Sequence, residues 1–592
     1  MMTIDAQLTQ GIHQALNTLY QYEMDITLQA TRKDFEGSHT FVVFPLVKAL
    51  KKSPAEIGQA IGDYLVQNLP FVAGFNVVQG FLNIVLTDQA WISTFQSILD
   101  HPVDRLPKRN ASVMVEYSSP NTNKPLHLGH LRNNFLGHSM ARILEANGWD
   151  VVKACLVNDR GIHICKSMIA YARLGNGETP ESSGIKGDHL AGKYYVLYDQ
   201  LFKKEVEELV AQGIPEEEAK KKAPILLAAQ DLLVQWEQQD PEVISLWKKM
   251  NGWVYEGFKQ TYDLIGVDFD TTYYESDTYL LGKELVEEGL AKGVFYQKPD
   301  QSVWIDLTEE GLDHKLVLRG DGTSVYMTQD LGTTDLKFAD HPTEKSIWVV
   351  GNEQDYHFQV LFAILKRLGR TYADGCYHLS YGMVDLPTGK MKSREGTVVD
   401  ADDLVKEMIE TAEETTRSRG KIDDFSPEEA SNLFKMLALG ALKYFLLKVE
   451  PKKRMLFNPQ ESIDFQGNTG PFIQYTHARI QSILRKAQAQ DIVVPQVVST
   501  DLHLTGSEVA LIQLLNDYPN QLAKAGLEYA PSILANYAFD VAKQFNSFYA
   551  ECSVLNEANL EIRNFRLALI DQVAKTLKKS MYLLGVNVPE RM

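Results

Sequence analysis

The sequence predicts an α/β fold, in which a parallel-sheet domain follows an α+β domain and precedes an all-helical domain. Val113–Tyr117 and Val151–Val157 are apolar runs on either side of a segment with helical periodicity. That order of strand, helix and strand is one unit of a parallel sheet. Gly148 predicts the end of the helix, because glycine takes a left-handed C-cap without steric cost. Residues 1–108 mix both periodicities, and the pattern from Ala401 onward is helical.

Composition narrows the class of protein. A chain of 592 residues is too long for one core and indicates three or four domains. None of its four cysteines forms a Cys-x-x-Cys pair, so we expect free thiols and no zinc site. The N-terminal residues lack signal-peptide character, and no run approaches the ~18 apolar residues of a membrane span. We therefore expect a cytoplasmic protein without a membrane partner.

The net charge of −18 disfavours non-specific binding of nucleic acid, which depends on broad positive potential. A local basic groove on an otherwise acidic protein remains compatible with this net charge. We therefore expect the lysines and arginines to be unevenly distributed.

Residues 1–108 are predicted to form a small α+β domain. Ile12 and Leu16 have helical spacing, and the apolar runs Phe75–Val78 and Phe81–Leu86 read as two strands. Gln79-Gly80 between them predicts a tight hairpin turn. The domain contains no evident catalytic constellation.

A pair of histidines lies where the helix after the first parallel strand begins. Helix N-termini present unpaired N–H groups and bind phosphate. Gly129 lets a nucleotide lie against the backbone, and His127 and His130 share a helix face. Both can donate hydrogen bonds to a phosphate in a crowded transition state. Two ordinary surface histidines are the alternative interpretation.

The second parallel strand ends at Asn158-Asp159-Arg160-Gly161, the edge where open α/β sheets bind ligands. Residues 175–262 are polar with helical periodicity and read as an insertion between the two halves of the sheet. Gly187 to Lys193 resembles a phosphate-binding loop. Tyr194 replaces the required Ser or Thr and no apolar strand precedes it, so we reject that interpretation.

Polar residues also follow later elements. Tyr326 and Asp330 share a face if their segment is helical, and Asp330 can take a guanidinium by paired hydrogen bonds. An N-cap carboxylate is an equal alternative. Ser346–Gly351 reads as a buried parallel strand, and Gln354 and His357 follow its end. His357 reads either as a contact for adenosine or as an ordinary helix-face histidine.

Two strings carry a resemblance to a known family. Ser118-Ser119-Pro120-Asn121-x-x-Lys124-Pro125-Leu126-His127-Leu128-Gly129-His130 resembles the HIGH signature of class I aminoacyl-tRNA synthetases, in its arginyl-tRNA synthetase version. Lys390-Met391-Lys392-Ser393, in a loop after the strand Cys376–Val384, resembles the second signature, KMSKS. Ser393 replaces the second lysine of that motif and Lys392 sits one place early. Lys124 is our candidate to supplement Lys390.

The resemblance implies an arginine--tRNA ligase. The carboxylate of L-arginine attacks the α-phosphate of ATP, and the arginyl group of the resulting adenylate passes to the 3′ end of tRNA(Arg). ATP with Mg²⁺ on its phosphates is implied, without a metal bound by the protein, and activation is expected to need bound tRNA. A Rossmann-like catalytic domain is expected at 109–400 and a helical domain at 401–592. The latter includes an anticodon-binding bundle at about 470–592, and the protein is expected to be monomeric.

The resemblance also implies residue roles, extending the string around Tyr326 and Asp330 to an arginine pocket. The implied catalytic residues are His127, His130, Lys390, Ser393 and Lys124. The residues implied to bind ATP are His127, Gly129, His130, Met391 and Lys390. The residues implied to bind arginine are Ser119, Pro120, Asn121, His130, Tyr326, Asp330, Gln354, Glu116 and Glu275. The tRNA set is Tyr475, Arg479, Tyr549 and Met592.

Tyr475 and Arg479 are four residues apart, which suits base stacking with a phosphate contact. A core aromatic beside a surface arginine is the alternative. The first domain reads equally as a contact for the outer corner of tRNA or as a packing module.

Two alternative functions remain at this point. One is a class I synthetase for another amino acid, against which the carboxylate of Asp330 argues because it indicates a basic substrate. The other is a non-catalytic relative that binds RNA or senses an amino acid. The two largely intact signatures argue against that.

Overall fold

The computed structural model describes residues 4–32, 34–386, 399–418, 422 and 424–592. The chain divides into two compact units. The first comprises residues 1–103, 479–519 and 540–577, and the second comprises residues 104–478, 520–539 and 578–592.

The N-terminal part of the first unit is an α+β domain. Its elements are α1 (Ile4–Tyr20), β1 (Leu28–Ala30), β2 (His39–Val42), α2 (Phe44–Leu50), α3 (Pro54–Asn68), β3 (Val72–Val78), β4 (Phe81–Leu86) and α4 (Asp88–Asp100). The antiparallel sheet has the order β1-β2-β4-β3. Gln79 and Gly80 both have positive φ, 48° and 79°, as a tight hairpin turn requires. The predicted hairpin is therefore confirmed, and Ile12 and Leu16 are fully buried as expected.

The second unit contains most of the remaining elements. They are β5 (Ser112–Glu116), α5 (Leu128–Ala146), β6 (Asp150–Val157), α6 (Ile162–Leu174), α7 (Pro180–Ser183), α8 (Gly187–Ala211), α9 (Glu216–Lys222), α10 (Pro224–Glu237), α11 (Pro241–Ile265), β7 (Thr271–Tyr274), α12 (Glu275–Thr278), α13 (Lys283–Ala291), β8 (Tyr296–Gln297), β9 (Val303–Ile305), β10 (Lys315–Leu318), α14 (Tyr326–Asp340), β11 (Lys345–Gly351), α15 (Asp355–Arg367), β12 (Cys376–Tyr381), β13 (Val384–Asp385), α16 (Ala401–Ser418), α17 (Pro427–Leu447), β14 (Met455–Leu456) and α18 (Pro459–Ser462).

Four C-terminal helices follow, and the division between the units crosses each of them. They are α19 (Gly470–Gln488), α20 (Gly506–Leu527), α21 (Pro531–Glu551) and α22 (Leu560–Leu583). Within the first unit, the ring of Phe95 on α4 lies 5.4 Å from that of Phe565 on α22. The N–H of Val498 also donates to the side chain of Gln96 at 3.0 Å. The α+β domain thus packs against residues of the helical part of its own unit.

A five-stranded parallel sheet of order β12-β11-β5-β6-β7 organises the second unit. Helix α5 connects β5 to β6, confirming the predicted parallel unit, and most of its residues are buried. Gly148 follows its C-cap with φ of 85°, and a Cβ there would lie 2.2 Å from the carbonyl oxygen of Pro107. Only glycine fits that left-handed position.

Some elements differ from the expectation. The string Tyr273-Tyr274-Glu275-Ser276 predicts a strand, but strand β7 ends at Tyr274 and Glu275 begins helix α12. The strand expected at 376–384 divides at Gly382, whose N–H donates to the carbonyl of Pro451. Gly187 begins the long helix α8, so the rejected phosphate-binding loop is indeed absent there. Helix α17 has the length and mean hydropathy of a membrane span, but most of it is buried as in a core helix.

Candidate active site

His127 and His130 form an interlocked pair at the N-terminus of α5. The Nδ1 atom of His127, the N-cap residue, accepts the N–H of Gly129 at 3.1 Å. The Nδ1 atom of His130 accepts the N–H of His127 at 3.2 Å, and the two ring centroids are 3.9 Å apart. A neutral imidazole that accepts at Nδ1 carries its proton on Nε2. Each ring therefore keeps an Nε2–H donor.

Both imidazoles are held neutral. Burial, together with the charge of Lys124, lowers the pKa of His127 to about 4. Burial, together with the neighbouring His127 and Lys124, holds the pKa of His130 well below its usual value. Lys124 therefore lies close enough to act electrostatically at this helix start.

The chain returns to this helix start after residues 387–398. The N–H of Leu128 donates to the carbonyl of Val399 at 3.0 Å, and the N–H of Ala401 donates to that of Leu126 at 2.9 Å. His127 and Asp400 form an antiparallel bridge. The predicted loop residues Lys390, Met391, Lys392 and Ser393 lie outside the described residues. The described segment that follows them meets the histidines.

The loop after β5 has an unusual backbone. Ser118 and Ser119 have φ of 83° and 42°, values that non-glycine residues seldom adopt. Asn133 on α5 accepts the N–H of Ser118 at 2.6 Å, and Asn158 at the end of β6 donates its N–H to Pro120 at 2.9 Å. The predicted residues Ser119, Pro120 and Asn121 thus lie at the carboxyl edge of the sheet.

Glu275 lies near two other acidic residues at this edge, Asp159 and Asp330. Burial raises the pKa of Glu275 to about 7; Arg160 opposes that rise, and Asp159 and Asp330 add to it. Arg160 forms its ion pair with Glu237. Asp159 is buried and accepts two hydrogen bonds from Ser276, each at 2.8 Å. Among the described residues, no donor or cation pairs with the carboxylate of Glu275.

Asp330 belongs to the same region. It is the fifth residue of α14, whose N-cap is Val325, so the N-cap interpretation is wrong. Its Oδ2 lies 2.6 Å from Nε2 of His357, so His357 contacts a carboxylate, a role that neither interpretation from the sequence included. Tyr326, one turn earlier, is 79% exposed, and Gln354 is exposed just before α15.

Glu116 is engaged elsewhere. It is 4% exposed and forms an ion pair with Lys337, which is 3% exposed. Its carboxylate is therefore neutralised within the protein, in contrast to that of Glu275. Lys337 gave no signal in the sequence, because a lysine inside a helical pattern reads as a solvated face.

The residues expected to contact tRNA lie in both units. In the first, the guanidinium of Arg479 is 5.8 Å from the ring centroid of Tyr549 and donates to Asn546 at 2.6 Å. Tyr549 is 42% exposed. In the second, Tyr475 is half-buried with its ring 6.3 Å from that of Phe465. Met592 is the last residue and is half-buried.

Within the described ranges, Asp188, His189 and Asp402 form the one group whose ligand atoms are close enough to share a metal ion. Lys186 already supplies a cation to it, with Nζ 2.6 Å from Asp402 and 3.1 Å from Asp188. His189 Nε2 lies 3.0 Å from Asp402. The group is thus an ion-pair network built around a lysine.

The chain matches three family models. They are the catalytic domain of class I (R) tRNA synthetases over residues 94–458, the DALR anticodon binding domain over 473–592, and the arginyl tRNA synthetase N terminal domain over 6–86. Curated arginine--tRNA ligases of Phocaeicola vulgatus and Amoebophilus asiaticus are 56% and 57% identical, with 100% of each chain covered. The chain belongs to the arginyl-tRNA synthetase family.

Solved structures agree with that assignment. The synthetase is similar to the arginyl-tRNA synthetase of Thermus thermophilus, with a TM-score of 0.78 and 26% identity over 100% of both chains. That of Plasmodium falciparum, at 20% identity, has the same fold with a TM-score of 0.76 over 100% of both chains. The enzyme is a class I arginine--tRNA ligase that activates L-arginine with ATP and charges tRNA(Arg). The predicted family and function are confirmed over the two alternatives.

Proposed function

We propose that adenylate formation takes place at the N-terminus of α5, between the two Nε2–H groups of His127 and His130. The observation that carries this proposal is that both Nδ1 atoms are occupied and both rings are neutral. Both imidazoles can therefore donate a hydrogen bond from Nε2–H to one anion. Prearranged donors of this kind stabilise charge that develops in the transition state, each by a factor of about 10²–10³ in rate. Gly129 leaves the backbone open to the nucleotide.

ATP enters this scheme with Mg²⁺ on its β- and γ-phosphates, as a substrate complex. We assign Lys390, with Ser393 and Met391, to the departing pyrophosphate and the nucleotide. The main-chain hydrogen bonds that bring Val399 to Leu128 support this assignment, since they tie the end of that segment to the histidines. Lys124 supplements it, because its charge already acts on both imidazoles.

We assign the guanidinium of L-arginine to Asp330 and Glu275. Among the described residues Glu275 has no paired cation and Asp330 contacts the imidazole of His357, so a guanidinium would supply the paired donors that these two carboxylates can accept. Tyr326 and Gln354 flank that end of the pocket. Ser119, Pro120, Asn121 and His130 take the end of arginine that reacts. Glu116 is assigned to support instead, because Lys337 satisfies its charge.

We assign the anticodon loop to Arg479 and Tyr549, with Tyr475 and Met592 as further contacts. An arginine beside an exposed tyrosine suits a phosphate next to a stacked base. We also propose that the domains divide at residues 108 and 400. The enzyme is further proposed to be monomeric and cytoplasmic.

Pyrophosphate exchange tests the chemistry. Exchange with each of the twenty amino acids, with and without tRNA(Arg), should be supported by arginine and should require tRNA. His130→Asn should lower the exchange rate at saturating substrates by about 10²-fold, as expected for one lost donor. His314→Asn is the matched control, because His314 is exposed between the strands of the small antiparallel sheet. Full activity of His130→Asn would refute the assignment.

Asp330→Ala tests the arginine pocket separately. It should abolish exchange with arginine, because the guanidinium loses its charge-assisted bonds. Tight arginine binding by this variant would contradict the pocket while leaving the role of the histidines intact.

A further inference from the structure

A cavity of about 690 Å³ opens in the second unit beside the edge strand β12. Lys448, Lys452 and Lys453, from the segment after α17, line one side of it. Lys524 and Tyr529, from the end of α20 and the residues after it, line the other. We call this cavity the lysine groove.

The lysine groove has excess positive charge on a chain whose net charge is −18. Its four lysines face two glutamates, Glu450 and Glu528. Lys453 pairs with Glu450 at 3.0 Å, and Lys448 donates to a main-chain carbonyl. Within the described part of the chain, the side chains of Lys452 and Lys524 form no hydrogen bond or ion pair.

The lysine segment is held rigidly by the helix that carries the histidines. Arg132 of α5 is 1% exposed, and one of its nitrogens donates to the carbonyls of Pro451 and Lys453 at 2.9 and 3.0 Å. The N–H of Gly382 also donates to Pro451 at 2.9 Å. A Cβ on Gly382 would lie 2.6 Å from the nitrogen of Arg454, so the two segments are in close contact. Cations on a fixed backbone lose less conformational freedom on binding.

An aromatic wall completes the groove. The rings of Tyr377 and Tyr529 are 4.6 Å apart, and Tyr377 is 36% exposed. Proteins that bind along the backbone of a nucleic acid combine positively charged side chains with exposed aromatic side chains, as this groove does. Lysine is a compact point charge without the planar fork of arginine, so it suits a phosphate and does not select a base.

We propose that the lysine groove binds the sugar–phosphate backbone of tRNA(Arg), as a contact additional to those of residues 475–592. The proposal rests on tRNA being the substrate of the enzyme. It assigns Lys452 and Lys524 to phosphates, with Tyr377 and Tyr529 against the adjoining ribose or base.

The test is the affinity for tRNA(Arg), measured as Kd without turnover over a range of salt concentrations. Removing two phosphate contacts should flatten the slope of log K against log salt by between about one and two. At 0.1 M salt the Lys452→Gln/Lys524→Gln variant should bind about tenfold more weakly or worse. The KM for ATP and for arginine should not change.

Two further variants make the result specific. Lys221→Gln/Lys248→Gln removes two exposed lysines from α9 and α11 and should leave both Kd and slope unchanged. Lys452→Arg/Lys524→Arg keeps both charges and should bind like the wild type, which distinguishes a lost phosphate contact from misfolding.

Two outcomes would overturn the proposal. One is an unchanged Kd and slope for the Gln variant, which would leave the histidine and carboxylate assignments untouched. The other is an equal loss of affinity in the Lys221→Gln/Lys248→Gln variant, which would make the effect one of overall charge instead of the lysine groove.

Discussion

Glu275→Gln is expected to separate the stability of the enzyme from its affinity for arginine. A carboxyl with a pKa of about 7 in place of 4.5 is harder to ionise by about 3 kcal/mol, at 1.36 kcal/mol per pKa unit. The folded protein therefore retains a proton that the unfolded chain has released. Stability from this group is fully present below pH 4.5 and is lost as the pH rises through about 7.

Glutamine is neutral at every pH, so the variant escapes that loss. At pH 8.5 its unfolding free energy should exceed that of the wild type by up to about 3 kcal/mol, and the difference should vanish near pH 4.5. Thermal unfolding at both pH values measures this. Glu287→Gln, which changes an exposed residue of α13, is the control and should have no effect.

Arginine binding provides the second readout. The guanidinium favours the ionised carboxylate, so binding should release about half a proton at pH 7 and almost none at pH 9. Calorimetric titrations in buffers of different ionisation enthalpy measure that number. Glu275→Gln should release none and should bind arginine more weakly. Equal proton release by the variant and the wild type at pH 7 would refute the reasoning.

Three other expectations concern neighbouring features. His127→Asn should lower the exchange rate about 10²-fold. Between pH 8 and 5.5 the wild-type exchange rate should not fall through protonation of this histidine, because its pKa is about 4. A pH–rate profile of the variant and the wild type measures the two effects. Lys337→Met should destabilise the enzyme by about 3–5 kcal/mol in denaturant unfolding, whereas Lys337→Met/Glu116→Gln should recover much of that loss. Gly148→Ala should lower the thermal midpoint because its φ is 85°, and an unchanged midpoint would contradict the strain.

The sheet could be predicted because its signals are local. The apolar run of β5, the periodicity of α5 and the glycine at 148 lie within 40 consecutive residues, and each constrains the backbone directly. Glu275 was harder, because the string Tyr273 to Ser276 has a strand pattern, whereas strand β7 ends at Tyr274. Secondary-structure boundaries of that kind depend on tertiary contacts, here the hydrogen bonds from Ser276 to Asp159.

The residues of the candidate site also differ in whether a local sequence signal reveals them. Spacing made His127 and His130 candidates and charge made Asp330 one, but their roles came from the resemblance to a known family. Lys337 could not, because its partner Glu116 lies 221 positions away and only the fold joins them. The roles assigned to individual residues of the pocket remain predictions for the experiments above.

The attachment of Val399 and Ala401 to Leu126 and Leu128 consists of main-chain hydrogen bonds. Such bonds are indifferent to side-chain identity, so this anchorage does not constrain which residues occupy positions 387–398. Loop grafting should therefore be tractable here: a segment taken from another class I enzyme could be spliced between Leu386 and Val399 while its point of return is preserved. Segments that differ in the order of lysine and serine can then be exchanged in one protein, and the effect of that order on turnover can be measured.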